Sequence, residues 1–76
     1  MKFKKITQNA DLSISDWEHL IDEWIFSERD RYIMKRLLLD DVSYETICEE
    51  VGLSVRYTKT IASKSMKILT SNIKHH

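Results

Sequence analysis

Between Ser54 and Leu69 the chain reads SVRYTKTIASKSMKIL, which holds Arg56, Lys59, Lys64 and Lys67, the hydroxyls of Thr60 and Ser63, the phenol of Tyr57, and no acid. These groups suit contact with a polyanion whose bases carry information. An arginine can donate two parallel hydrogen bonds to guanine, a threonine can bond a base edge or touch a thymine methyl, and a lysine suits guanine or phosphate. If the run is a helix that enters a groove by its N-terminal end, Arg56, Tyr57, Lys59 and Thr60 are the expected base-reading residues, behind Val55. Ser63, Lys64 and Lys67 lie further along, where phosphate contact is expected.

The other reactive side chains do not assemble into chemistry. His19, His75 and His76 are too scattered to ligate a metal, and one cysteine, Cys48, supports neither a disulfide nor a cysteine-based zinc site. Cys48 reads instead as a small core residue. Glu49 and Glu50 are sequence neighbours, so on a helix they point about 100° apart and cannot share a substrate. No catalytic group, metal or cofactor is expected, and the chain is not expected to be an enzyme.

The elements that must position the basic run are helical. The 76 residues contain no proline and one glycine, a composition poor in strand and turn signals. Residues 1–14 lack a period and are expected to form an arm, packed by Phe3 and Ile6 or reaching out with Lys2, Lys4 and Lys5. Ser15 with Glu18 has the spacing of a capping box and predicts the first helix. Behind it Trp17, Leu20, Ile21, Trp24 and Ile25 form an apolar stripe, with His19 on the polar side. Ser27 predicts the start of a second helix, with Glu28 and Asp30 in its first turn and Ile33, Met34, Leu37 and Leu38 inward. Asp40 and Asp41 end it. Ser43 predicts a short third helix with Tyr44, Ile47, Cys48 and Val51 inward. Gly52 suits the left-handed residue that closes it. Leu53 is expected to plug the core, and Ser54 to cap a fourth helix reaching about Ile73. Its apolar positions are Ile61, Ala62, Met66 (or Ser65), Leu69 and Ile73. One all-α domain over residues 15–74 is expected, with a helix-turn-helix at about 43–69.

Formal charge sums to zero but is segregated. Residues 11–50 carry twelve acids against Arg29, Arg31, Lys35 and Arg36, whereas residues 51–76 carry five cations and no acid. Two faces with different partners are expected. No apolar run approaches the ~18 residues of a membrane span. The basic N-terminus has no apolar stretch behind it, so no signal peptide and a cytoplasmic location are expected.

The run from about Glu28 to Leu69 resembles region 4 of bacterial sigma factors. The acid-started helix ERDRYIMKRLLLDD, the short helix SYETICEEV, the Gly-Leu-Ser turn and the helix VRYTKTIASKSMKIL carry the resemblance, with Ala62, Met66 and Leu69 at the family's small and closing positions. The output domain of LuxR-type response regulators has a similar pattern. The resemblance implies a tetrahelical fold and places Arg56, Tyr57, Lys59 and Thr60 at bases and Ser43 and Tyr44 at phosphates. It further implies a phage or mobile-element transcription regulator acting on double-stranded DNA. RNA polymerase or a second copy of the chain would be its protein partner. The chain has no room for the part of a sigma factor that melts the other promoter element, so action as a complete sigma factor is not expected. The acidic half is the expected protein-facing surface, with the exposed ends of Trp17, Trp24, Phe26 or Tyr32 as candidates, although core packing is the first expectation for the two tryptophans. In the alternative reading the chain docks on polymerase or a sigma factor with little DNA binding of its own.

Overall fold

Four serines, Ser13, Ser27, Ser43 and Ser54, each start a helix, and each side chain accepts a hydrogen bond from the backbone N–H three residues on. The hydroxyl thereby satisfies one of the donors that a helix start leaves free. The computed structural model describes residues 12–73; residues 1–11 of the expected N-terminal arm and His75 and His76 lie outside that range, whereas residues 12–14 lead into and begin the first helix. The helices are α1 (Ile14–Trp24), α2 (Glu28–Leu38), α3 (Tyr44–Val51) and α4 (Val55–Ser71), with no strand among the described residues.

The first helix starts earlier than the Ser15–Glu18 pair suggests. Ser13 Oγ accepts from Asp16 N at 3.1 Å, and Asp16 Oδ2 accepts from Ser13 N at 3.1 Å, so this pair forms the capping box. Both pairs have the right spacing, but the earlier one also places Leu12 just before the cap and Trp17 four residues into the helix. Leu12 packs against the core cluster that contains Trp17, the arrangement of a hydrophobic staple. A start at Ser15 would put His19 in Trp17's place.

Helix α2 ends where Asp41 takes a positive φ of 55°, and Val42 N–H returns to the Arg36 carbonyl at 3.0 Å. Gly52 closes α3 at φ 71°, ψ 31°, in the left-handed region that glycine occupies without penalty. Leu53 N–H then bonds the Cys48 carbonyl at 3.0 Å. Gly52, Leu53 and Ser54 are the whole connection between α3 and α4.

Two apolar clusters hold the helices, and α4 contributes to both. Ile61 meets Ile33 of α2 and Ile47 of α3, with Val51 and Leu53 against them. One turn further on, Ala62, Met66 and Leu69 meet Trp17, Ile21, Ile25 and Met34. The first half of α4 is thus set by α2 and α3, and the second half by α1 and α2. Burying a side chain of this size contributes about 1.5–3 kcal/mol, so this packing fixes the helix's direction. Thr58 and Ser65 are buried in α4 as well. Thr58 is tolerated because its Oγ1 donates to the Ser54 carbonyl at 2.9 Å.

The two tryptophans separate. Trp17 is 3% exposed and belongs to the core, whereas Trp24 is 36% exposed at the end of its helix, where Ile25 takes the inward position. Phe26, in the connection to α2, is 82% exposed.

Candidate nucleic-acid interface

On α4 the positions Arg56, Lys59–Thr60, Ser63–Lys64 and Lys67 recur every three to four residues and fall on one face. Thr58, Ile61, Ala62, Ser65, Met66 and Leu69 take the opposite, buried face. The fold therefore has no choice about which side of α4 meets solvent. Arg56, Lys59, Thr60, Ser63, Lys64 and Lys67 line one shallow, open surface together with Val55. That gathers six of the nine residues that sequence reasoning assigned to nucleic acid.

The other three lie differently. Ser43 Oγ is the N-cap of α3, accepting from Thr46 N at 3.4 Å and lying 3.1 Å from Thr46 Oγ1. Tyr44 is half-buried against the larger core cluster, and burial pushes its phenol pKa up. Its ring lies 5.5 Å from the Lys59 ammonium, so it supports a cation of the α4 face. Tyr57 is exposed at the edge of that face, and the Arg29 guanidinium of α2 stands 5.6 Å over its ring.

The electrostatics of the face follow from what is missing around it. Arg56, Lys59, Lys64 and Lys67 make no ion pair with any described residue. The N-terminal end of α4 adds the partial positive charge of its unpaired amides. Thr60 Oγ1 donates to the Arg56 carbonyl at 3.1 Å, which leaves its oxygen to accept and its methyl to make apolar contact.

The short helix in front of α4 is held by a polar clamp. Glu50, on the last turn of α3, accepts from Arg36 Nε at 3.1 Å, from Arg36 Nη2 at 2.7 Å and from Tyr32 Oη at 2.9 Å. Arg36 Nη1 also bonds Asp40 at 3.3 Å. The Arg36 hydrogen bonds hold the Glu50 carboxyl below its ordinary range, and the bond to Glu50 pushes the Tyr32 phenol up. Two forked hydrogen bonds fix orientation as well as distance. Sequence reasoning counted Arg36 only among the cations of residues 11–50 and missed this partnership, because its partner lies on another helix.

No group of three or more potential metal ligands occurs among the described residues, and His19 is exposed on α1. Cys48 is half-buried, with its thiol 3.1 Å from the Glu45 carbonyl. No helix among the described residues is long and apolar enough to cross a membrane. No protein-family model, characterised protein or solved structure matches the chain.

Proposed function

We propose that the chain is a sequence-specific DNA-binding transcription regulator in which α3, the Gly52–Ser54 turn and α4 act as a helix-turn-helix. The observation that carries this reading is the outer face of α4, whose four cations have no ion-pair partner among the described residues and whose acids are absent. At about 1.5 Å per residue, Lys67 stands ~16 Å along the axis from Arg56. The major groove is about 12 Å wide. With Arg56, Lys59 and Thr60 at base edges, Lys64 and Lys67 therefore fall toward the flanking phosphates. The two clusters, which take Ile61 and then Ala62, Met66 and Leu69 from α4, fix the direction of that face.

The sigma region 4-like assignment is part of the same proposal and rests on sequence pattern from Glu28 to Leu69. One small module makes few base contacts. Useful specificity then calls for a second copy or for RNA polymerase as an accessory partner. Exposed Trp24 and Phe26, at and just after the end of acid-rich α1, favour a protein contact there.

The test is a fluorescence-anisotropy titration of the full chain against labelled duplex DNA between 50 and 200 mM salt. The phosphate contacts of Lys64 and Lys67 alone give a slope of log K against log salt of about −1.8. Arg56→Ala is expected to relax discrimination between sequences by about 1–3 kcal/mol, whereas Lys67→Ala weakens all sequences alike. Absence of binding at 50 mM salt would refute the reading.

A further inference from the structure

Arg29 belongs to the acidic half of the sequence, in the first turn of α2, yet the fold brings it to the base of α4. Its guanidinium stands 5.6 Å over the Tyr57 ring. Its Nε also bonds Asp30 Oδ1 at 3.3 Å. The Asp30 carboxylate, and after it the neighbouring Tyr57, raise the Arg29 pKa further. The contact with Asp30 uses Nε, while a guanidinium carries four more N–H donors on its two terminal nitrogens. The Arg29 side chain is 44% exposed, so an incoming anion can reach it. An exposed ion pair between neighbours is weak and does not hold the guanidinium against a phosphate.

Tyr57 lies about 100° around the helix from Arg56 and so sits beside the cationic stripe rather than on it. The Arg29 guanidinium stands over one face of its ring, so the ring is engaged from the α2 side. The geometry points to a phosphate clamp outside α4: Arg29, seated on the Tyr57 ring, contacts a DNA phosphate next to the end of α4 that enters the groove, and Tyr57 is its positioning residue instead of a base reader. This inference rests on the DNA-binding reading and extends its footprint from one helix to two. Arginine suits the role because its planar fork both stacks on an aromatic ring and bonds phosphate oxygens.

The test uses the full chain and a fluorescein-labelled, mixed-sequence 25-bp duplex, with anisotropy titrations from 50 to 200 mM salt. Removing one phosphate contact changes the salt slope by about 0.9. Arg29→Ala and Arg29→Gln are therefore each expected to lower the slope's magnitude by about 0.9, so that the wild-type advantage shrinks about 3.5-fold across the series. Arg29→Lys keeps the charge and the slope. Tyr57→Phe keeps the ring and behaves as wild type, while Tyr57→Ala loses part of the slope. Wild-type slopes in both Arg29→Ala and Arg29→Gln would overturn the clamp while leaving α4 binding intact. Tyr57→Ala that binds more weakly with an unchanged slope would overturn the positioning role. No binding by the wild-type chain at 50 mM salt would remove the DNA-binding reading and the clamp with it.

Discussion

Helices α2 and α4 carry four cations each and use them in opposite ways. On α2, Lys35 pairs with Asp22 at 2.8 Å, Arg36 with Glu50 at 2.7 Å and Asp40 at 3.3 Å, and Arg29 with Asp30 at 3.3 Å. Arg31 donates to the Phe26 carbonyl at 3.1 Å. Lys35 and Arg36 thus hold one element to another, and Arg31 ties α2 to the connection before it. On α4, Arg56, Lys59, Lys64 and Lys67 have no such partner among the described residues. The same residue types are ion-paired or hydrogen-bonded on one helix and stand without an ion-pair partner among the described residues on the other. What differs is where the acids are. Arg29 stands between the two regimes, paired within α2 but seated on α4.

Four substitutions or conditions bear on that contrast. The largest effect is expected from Lys59→Ala, Lys64→Ala and Lys67→Ala combined. Duplex binding at 100 mM salt falls by about 100-fold or more and the salt slope shrinks by about 1.8 through Lys64 and Lys67, while the melting temperature by circular dichroism stays near wild type. A large loss of thermal stability in the triple variant would mean that these cations serve the fold after all. Gly52→Ala comes next. A Cβ at Gly52 meets nothing within 4 Å, so the cost is the left-handed backbone alone, about 1–2 kcal/mol by urea denaturation. Its effect falls on the turn that aims α4, not on any charge.

On the α2 side, Glu50→Gln is expected to lower the melting temperature at pH 7 while leaving the salt slope of DNA binding unchanged. A change of slope would place Glu50 in the electrostatics of the DNA face and blur the contrast. The smallest effect is the pH dependence of that clamp. The folded-state pKa of Glu50 lies below its ordinary 4.5, chiefly through the Arg36 hydrogen bonds. Its contribution to stability is therefore present above about pH 4.5 and is lost as pH falls through the lowered value. Wild-type and Glu50→Gln melting temperatures should converge over that interval, and parallel curves would show that the carboxylate adds nothing.

Much of this was legible in the chain because it is local. The serine before each of α2, α3 and α4, the left-handed Gly52 and the two faces of α4 all follow from spacing within one helix or turn. The start of α1 was not, because Ser13 and Ser15 both offer capping spacing and only the packing of Leu12 against the cluster holding Trp17 separates them. Trp24 continues the apolar period of α1 but falls at its last residue, so periodicity alone overstated its burial. Glu50 with Arg36, and Arg29 with Tyr57, join residues on different helices. No periodicity reports such pairs, since they depend on how the helices cross. Thr58 reads as a surface hydroxyl by type and is buried because it can bond back to its own helix.

The central claim is that the exposed face of α4 is where the chain meets DNA, while the paired charges of α1 and α2 hold the fold. An NMR titration of the uniformly 15N-labelled chain with a mixed-sequence 25-bp duplex at 50 mM salt tests it most directly. The largest amide shifts are expected from residues 55–67, with a smaller set near Arg29, and amides of residues 14–24 should stay in place. Shifts concentrated in residues 14–26, or none anywhere, would contradict the account.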